Sequence, residues 1–302
     1  MYIHFFYKII TCTFIAFEAV IVRYLSGGSS IYIQDFLPIY TIIFFQNFFS
    51  LIGVFIILKK NIFKLFITSY ILLNFIRIFL NILGIILWYL SLQNIPIVYA
   101  VSISFISPII SIFGAIFFLN EKVTFQKIII IFSSFIGFIF TMRPDYLFSQ
   151  VFEFNIFYIY PFFSSLCMAI SKLIARKLMI LKHTPWQLTI YLFFFIFPIC
   201  LFFSFKYGWH SPKYYHWFWI FCLGFLNILI NYFFVKSYIV GEIIALLPFG
   251  IATKLFVAGI ISFYIFQETS NYIPIFIGLF IFFCNFILVI YNYFFFYRMK
   301  II

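Results

Sequence analysis

The chain has 302 residues, of which 66% are hydrophobic, 26% are aromatic and 9% are charged. Soluble domains carry about 25% charged residues, so this composition excludes a soluble globular fold. The formal net charge of +12 does not indicate nucleic-acid binding, because the basic residues lie between long apolar runs and not on one face of a soluble surface.

Apolar runs of about twenty residues recur along the chain, and this is the length that a helix needs to cross a bilayer. Because lipid supplies no hydrogen-bond partners, the backbone of each run is expected to be helical. We therefore predict an all-α integral membrane protein with ten transmembrane helices. The helices are expected near residues 3–25, 37–58, 70–91, 97–119, 125–141, 156–174, 188–205, 217–235, 243–266 and 272–297.

The distribution of basic residues predicts the orientation of these helices. With ten spans both termini lie on one side, and that side receives most of the lysines and arginines, Lys8 and Lys172 among them. The other side receives only Arg23, Arg143, Lys206 and Lys213. By the positive-inside rule both termini are predicted to be cytoplasmic, in a multi-pass protein of the cell inner (plasma) membrane.

A short motif recurs after the fourth and the ninth predicted span. Residues 118–122 read Phe-Leu-Asn-Glu-Lys, and residues 265–269 read Ile-Phe-Gln-Glu-Thr. Superposing Glu121 on Glu268 aligns the two halves of the chain. Internal repeats with a site at their interface are a recurring design of transporters. The alignment therefore predicts two five-helix repeats, residues 1–143 and residues 144–302.

Residues 77–144 carry a pattern that is typical of one transporter family. The pattern consists of Arg77, Gly84, Trp88-Tyr89-Leu90-Ser91-Leu92, Ile95-Pro96, Ser107-Pro108, Asn120-Glu121, Gly137 and Arg143-Pro144. On these residues the chain resembles the EamA family of the drug/metabolite transporter superfamily, whose members have two five-helix repeats. The second half matches through Pro248, Glu268 and Gly278. One departure is Gln46, where the family often has an arginine.

Within this family, the layout is similar to that of the S-adenosylmethionine uptake transporters of obligately intracellular bacteria. The resemblance implies a secondary transporter that moves a small metabolite across the inner membrane by alternating access, with S-adenosylmethionine uptake as the leading hypothesis. Export of amino acids or other metabolites by proton exchange is the alternative. The expected partners are a small-molecule metabolite and membrane lipid. No nucleic acid and no cofactor are expected, and homodimer formation stays open.

Three ionisable residues inside predicted spans are the first candidates for a substrate site. An ionisable side chain near the bilayer centre costs about 2.5–3.5 kcal/mol, so each needs a partner or a water-filled cavity. In a polar cavity, Lys254 and Arg77 would attract a carboxylate or a phosphate, and Glu18 would attract an ammonium, a sulfonium or a proton. The structural alternatives are an ion pair of Glu18 with Arg23 or Lys254, and an Arg77 that extends to the cytoplasmic headgroups.

Four uncharged residues complete the candidate site. Trp88 and Tyr89 offer rings that can stack on a planar or cationic ligand, although core or lipid contacts would also account for them. Asn231 and Tyr232 form a polar stripe with Asn227 on the eighth span. That stripe either lines a cavity or joins helices by hydrogen bonds.

Two prolines are candidate hinges. Pro108 and Pro248 lie inside the fourth and ninth predicted spans, where each frees a backbone carbonyl and permits a bend. A moving hinge and a static bend both remain open.

Rival functions lack the residue patterns that they require. The sequence has no H-E-x-x-H motif and no Gly-rich phosphate loop with a lysine, and its seven acidic residues are dispersed. The four histidines have no neighbour at metal-site spacing, so no metal site is predicted. An intramembrane enzyme is therefore disfavoured, and no catalytic residue is assigned.

Overall fold

The computed structural model describes residues 2–28, 35–58, 70–104, 106–120, 132, 156–207 and 209–237, together with residues 250, 253–254, 256–257, 259–261 and 264. The regular structure of these residues is helical. In chain order the helices are α1 (Tyr2–Leu25), α2 (Ile39–Leu58), α3 (Ile71–Asn94), α4 (Ile97–Ile103), α5 (Ile106–Leu119), a short 3-10 helix (Ile156–Tyr158), α6 (Ile159–Ile180), α7 (Pro185–Lys206) and α8 (Tyr214–Ser237).

Five segments in the described part of the chain are long and apolar enough to cross a membrane. These are α2, α3, α7 and α8, and the 3-10 helix continued by α6. The prediction of an all-helical membrane protein is confirmed to this extent. The count of ten spans and the cytoplasmic termini stay predictions, because the tenth predicted span and nearly all of the fifth lie outside the described residues.

The fourth predicted span, residues 97–119, is interrupted and forms two helices, α4 and α5. Pro108 lies in the first turn of α5 and has no backbone N–H, so it cannot donate to the carbonyl of Ser104 four residues earlier. That carbonyl accepts from the backbone N–H of Ser107 instead, at 3.1 Å. The proline that the sequence marked as a candidate hinge therefore stands directly after a break in the span.

Small residues allow α3 and α6 to pack closely and antiparallel. The hydroxyl of Ser164 donates to the carbonyl of Gly84 at 2.7 Å, and the hydroxyl of Ser171 donates to the carbonyl of Arg77 at 3.1 Å. A Cβ on Gly84 would lie 2.8 Å from Cγ of Met168. Small residues with interhelical hydrogen bonds are the usual contact between helices in a membrane, where apolar side chains gain little by leaving lipid.

A second close contact joins α8 to α2. The hydroxyl of Ser50 donates to the carbonyl of Gly224 at 3.0 Å, and the Asn227 amide donates to that hydroxyl, also at 3.0 Å. Helix α1 packs along the other side of α8, where Tyr24 contacts Trp219 and Tyr7 contacts Phe233. These contacts bring α1, α3, α6 and α8 around one space.

A polar clasp joins two connections that are distant in the sequence. The carboxylate of Asp35, which lies before α2, accepts hydrogen bonds from the ammonium of Lys213 and from the hydroxyl of Tyr215 at 3.0 Å. The His216 ring contacts the Asp35 carbonyl at 3.1 Å. The pKa of the Asp35 carboxyl is held below its usual range, mainly by the Lys213 ammonium and to a lesser extent by the Tyr215 hydroxyl.

Candidate functional site

A cavity of about 190 Å³ lies between α1, α3, α6 and α8. Ser104 directly after α4, the start of α5 and the segment that contains Lys254 also contribute to its wall. The polar and charged lining residues are Lys8, Cys12, Glu18, Arg77, Asn81, Trp88, Tyr89, Ser104, Ser107, Ser164, Ser165, Ser171, Lys172, Asn227, Asn231 and Lys254. A concave site with a few convergent polar groups is the usual form of a small-molecule site.

Helix α1 lines the cavity with one stripe of residues. Lys8, Cys12, Ile15 and Glu18 follow one another at intervals of three or four residues, which places them on one face of a helix. The ten residues from Lys8 to Glu18 correspond to about 15 Å of helix. The cavity therefore has a Lys8 end and a Glu18 end.

Helix α3 lines the cavity in the same way. Arg77 is on its first two turns, and Trp88 and Tyr89 lie about three turns further along. Lys172 of the antiparallel helix α6 lies at the level of Arg77, because Ser171 bonds to the Arg77 carbonyl. Among the described residues, the basic side chains of α3 and α6 are thus at one end of the cavity and the two rings are at the other.

Glu18, Gln46 and Tyr89 form a closed triangle of short contacts. The Gln46 Nε2 lies 2.6 Å from Glu18 Oε1, the Tyr89 hydroxyl lies 2.9 Å from the same oxygen, and the Tyr89 hydroxyl lies 2.5 Å from Gln46 Oε1. Gln46 and Tyr89 are buried, and all three side chains come from different helices. These contacts hold the Glu18 side chain at the end of the cavity that lies away from Lys8.

The triangle needs more protons than an ionised Glu18 allows. Three hydrogen bonds among these three side chains require three protons. The Gln46 amide can donate one proton to the triangle and the Tyr89 hydroxyl carries one, so a third is missing when Glu18 is ionised. Exchanging the oxygen and nitrogen of the Gln46 amide does not change this number. With a protonated Glu18 each of the three contacts becomes a hydrogen bond, so this arrangement suits a carboxyl that carries a proton.

Lys254 faces the same end of the cavity as Glu18. Its ammonium lies 3.8 Å from the centre of the Trp88 ring, a distance at which the face of an indole attracts a cation. Lys254 and Glu18 also interact through their charges. A carboxylate that drew Lys254 off the ring would leave the face of Trp88 open to a planar group.

Arg77 is buried, with 4% of its surface exposed, so it does not extend to the headgroups. Its guanidinium donates to the carbonyl of Leu188 at the start of α7, at 2.7 Å. Its Nε has no hydrogen-bond partner among the described residues. Arg23, which was considered as an ion-pair partner of Glu18, donates instead to the carbonyls of Leu92 and Ile95 and so provides donors for the carbonyl groups at the C-terminal end of α3.

The polar stripe on α8 was predicted either to line a cavity or to join helices, and its residues do both. Asn227 lines the cavity and also joins α8 to Ser50 of α2. Asn231 lines the cavity and donates to the carbonyl and side chain of Asn227. Tyr232 is not among the described lining residues, and its ring packs 4.5 Å from the ring of Trp186.

The structure brings most of the predicted site residues to one cavity. Glu18, Arg77, Trp88, Tyr89, Asn231 and Lys254 all line it. Pro108 lies at the break between α4 and α5, next to the lining residue Ser107, and Pro248 lies outside the described residues. No group of three potential metal ligands occurs in the described part of the chain.

Three lining or adjoining residues were missed by reasoning from the sequence. Lys8 and Lys172 were counted with the cytoplasmic charges, but each lies inside a helix and faces the cavity. The spacing of Lys8, Cys12 and Glu18 is the signal that would have placed Lys8. Gln46 was noted only as a departure from the family pattern, and it holds Glu18 in place.

Comparison with known proteins supports a transport function. Residues 3–143 match the EamA-like transporter family. The S-adenosylmethionine uptake transporter of Rickettsia felis is 26% identical over 240 residues, which is 78% of each chain, and that of Rickettsia prowazekii is 24% identical over 240 residues, again 78% of each chain. A crystal structure at 11% sequence identity shares the fold over 95% of both chains, with a TM-score of 0.67. These similarities indicate a transporter and not an enzyme, and we conclude that the chain is a multi-pass membrane transporter whose residues 3–143 match the EamA-like transporter family.

Proposed function

We propose that the chain is a secondary transporter of the inner membrane that takes up a zwitterionic metabolite of the S-adenosylmethionine type. One observation carries the proposal: Glu18, Lys254 and Arg77 line the same cavity as Trp88. Glu18 faces the ammonium or sulfonium of the substrate and Lys254 faces its carboxylate, while Arg77, about three turns of α3 from Trp88, adds positive charge at the other end of the cavity. Once Lys254 moves to the carboxylate, the Trp88 ring stacks on the planar part of the substrate.

The cavity suits alternating access by two five-helix repeats, residues 1–143 and 144–302, with both termini in the cytoplasm. Sites for drug-sized ligands occupy about 300–1,000 Å³. The cavity of about 190 Å³ is smaller than this, so a nucleoside-like metabolite requires it to widen. Rocking of one repeat against the other provides that widening. Pro108 and Pro248 are the hinges that we propose for this motion.

Uptake of labelled S-adenosylmethionine into cells that express the chain tests this proposal. We expect saturable uptake above empty-vector cells, and a loss of about tenfold or more in Glu18→Gln and in Lys254→Ala, because each removes a charged contact in a site with little water. Asp35→Asn and Lys206→Ala are matched controls outside the cavity and should transport normally. Membrane levels of every variant are measured by immunoblot. No uptake by the correctly inserted chain would remove this substrate.

Proton exchange is the second candidate mechanism, and the contact triangle favours it. A carboxyl that completes its hydrogen bonds only when protonated can release the proton when Gln46 or Tyr89 moves away. In proteoliposomes, Glu18→Gln should then keep exchange of labelled for unlabelled substrate but lose accumulation driven by a pH gradient. Equal loss of exchange and accumulation would instead assign Glu18 to substrate binding.

A further inference from the structure

Three buried polar atoms in the described lining of the cavity have no hydrogen-bond partner among the described residues. They are Nε of Arg77, Oδ1 of Asn81 and Oγ of Ser107. Arg77 is 4% exposed and Ser107 is 7% exposed. A buried polar atom without a partner costs free energy, and a ligand that supplies the missing partner recovers it. These atoms therefore mark where polar groups of a ligand are held.

The break between α4 and α5 leaves the Ser107 hydroxyl available to the cavity. A serine inside a helix can donate to the carbonyl of the preceding turn, as Ser165 of α6 does to Pro161 at 2.7 Å. Ser107 is in the first turn of α5, directly after the break, so no regular helical turn precedes it. Its hydroxyl can therefore act toward a ligand as a donor and as an acceptor.

The contacts of α4 and α5 with α6 give the depth of Ser107 in the cavity. Tyr99 of α4 contacts Tyr158, which directly precedes α6, and Gly114 of α5 packs on the Leu173 side chain of α6. The same number of residues separates the two contacts in both segments, so the segments run in parallel. Ser107 is midway between Tyr99 and Gly114, and it is therefore level with the middle of the matching stretch of α6.

Asn81 of α3 lies at nearly the same depth. The hydroxyls of Ser164 and Ser171 bond to the carbonyls of Gly84 and Arg77, which sets the antiparallel register of α3 and α6. Asn81 lies between Gly84 and Arg77, so it is level with the same part of α6. The unpartnered amide of α3 and the unpartnered hydroxyl of α5 are thus at one level, between the basic end of the cavity and the two rings.

An apolar surface continues from Asn81 to the Trp88 ring. Asn81, Ile85 and Trp88 follow one another at intervals of four and three residues on the cavity face of α3. The Cα atoms of Asn81 and Trp88 are seven residues, about 10 Å, apart along the helix. A ligand group in this place meets hydrogen-bonding atoms at one edge and apolar and aromatic surface beside it. A flat heterocycle with one polar edge has this division of polarity.

We propose that Asn81 and Ser107 form a subsite for the amino edge of a purine such as adenine. The exocyclic amino group has two protons, one for Oδ1 of Asn81 and one for the Ser107 hydroxyl. The amide nitrogen of Asn81 donates to the neighbouring ring nitrogen, which is the way in which asparagine pairs with adenine in DNA recognition. The Trp88 ring stacks on the face of the same base.

The subsite deepens the proposed transport function, since it rests on the cavity holding the substrate and assigns residues to the planar part of that substrate. A purine with a carbonyl in place of the amino group presents two acceptors to Asn81 and loses one of the hydrogen bonds. A site that is built to bond an N–H group rejects the analogue that lacks it. The subsite is therefore expected to select aminopurines over oxopurines.

The test uses the purified full chain in lipid nanodiscs and measures thermal stabilisation by adenosine and by inosine, which carry the amino group and the carbonyl respectively. We expect adenosine to stabilise the chain saturably, with an apparent affinity about tenfold higher than that of inosine. Asn81→Leu should remove this preference, and Ser107→Ala should lower the affinity for adenosine. Asn94→Leu is the matched control and should keep the preference, because Asn94 is exposed at the end of the same helix and bonds to the Leu90 carbonyl.

Stability without ligand separates a binding role of Asn81 from a structural one. Replacing an unpartnered amide oxygen by apolar atoms removes no hydrogen bond, so Asn81→Leu should unfold at a temperature no lower than that of the wild type. A large loss of stability in Asn81→Leu would overturn the subsite. Equal or absent binding of the two nucleosides by the wild type, or an unchanged preference in Asn81→Leu, would overturn it as well.

The subsite and the proposed uptake fail independently. A preference for adenosine without uptake of S-adenosylmethionine would keep the subsite and assign it to another solute that contains adenine. Uptake of S-adenosylmethionine that adenosine and inosine inhibit equally would keep the proposed function and overturn the subsite. Uptake that adenosine inhibits more strongly than inosine would support both.

Discussion

Tyr89 joins two groups that the sequence places on separate helices. Its hydroxyl contacts Glu18 of α1 and Gln46 of α2, and its ring carbon atoms are buried with those of Trp88 in the same core. The residue types at these positions pointed to a polar cavity, but the triangle itself depends on how three helices meet. Gln46 therefore could not be assigned from the sequence.

Replacing Tyr89 by phenylalanine tests the triangle at the scale of one hydroxyl. The change keeps the ring and removes the hydroxyl that contacts Glu18 and Gln46, and leaving buried polar groups without a partner costs about 1–3 kcal/mol. We expect uptake to fall by about tenfold or more while the amount of folded protein in the membrane stays close to that of the wild type. Tyr24→Phe is the control, because that ring packs on Trp219 outside the cavity. Wild-type uptake by Tyr89→Phe would remove the hydroxyl from the mechanism.

Two helix pairs depend on the close approach of a glycine, and the two glycines differ in what they contact. A Cβ on Gly84 of α3 would lie 2.8 Å from Cγ of Met168, an atom in a flexible side chain. A Cβ on Gly224 of α8 would lie 2.6 Å from Cβ of Phe49, which is attached directly to the backbone of α2. Only the first contact can relax without moving a helix.

Alanine at these two glycines should therefore have unequal effects. Both substitutions raise helix propensity by a similar amount, so the difference between them reports packing. We expect Gly224→Ala to lower the free energy of unfolding by about 1–3 kcal/mol and Gly84→Ala to lower it less. Thermal unfolding of both variants in one detergent measures the difference. A larger loss in Gly84→Ala would contradict the packing described for α2 and α8.

Across the whole molecule, the sequence predicted the features that follow from composition and spacing. Long apolar runs sufficed to predict the helices, and the cost of buried charge sufficed to select Glu18, Arg77 and Lys254. Pro108 predicted a bend in the fourth span, but it did not predict that the span forms two separate helices, α4 and α5. Lys8 and Lys172 were not selected as site residues because the positive-inside pattern uses each lysine only as a charge on one side of the membrane, whereas both of these side chains line the cavity.

The clasp between Asp35 and Lys213 connects the first half of the chain to the second, and its pH dependence can be predicted. The pKa of Asp35 is lowered by Lys213, so the clasp stabilises the fold above the unfolded-state pKa of about 3.9 and is lost as pH falls through the lower folded-state value. The pKa of Lys213 is raised by Asp35, so the clasp stabilises the fold up to the unfolded-state lysine pKa of about 10.4 and is lost as the pH rises through the higher folded-state value. Between these limits the contribution should be constant.

Thermal unfolding of the wild type and of Asp35→Asn as a function of pH measures this window. The wild type should be the more stable of the two from about pH 5 to pH 9, and the difference should begin to shrink below about pH 4 and disappear below the lowered folded-state pKa of Asp35. Lys206→Ala, in which the clasp is intact, should follow the wild type throughout. A difference that did not shrink at all as the pH was lowered from about 5 to about 2 would show that the Asp35 substitution acts through something other than its charge.

The position of Cys12 gives this transporter a chemical reporter of its own. The thiol lies on the α1 stripe between Lys8 and Glu18, and a Cβ on Gly250 would approach its sulfur to 2.8 Å. A thiol reagent must therefore pass the basic end of the cavity or the Glu18 end before it reacts. Negatively charged reagents should modify Cys12 faster than positively charged reagents of the same size when they enter past the lysines. Bound substrate should slow the reaction, and Cys12→Ser separates this signal from that of the other cysteines. The side of the membrane from which the reagent reaches Cys12 would then reveal which way the cavity faces.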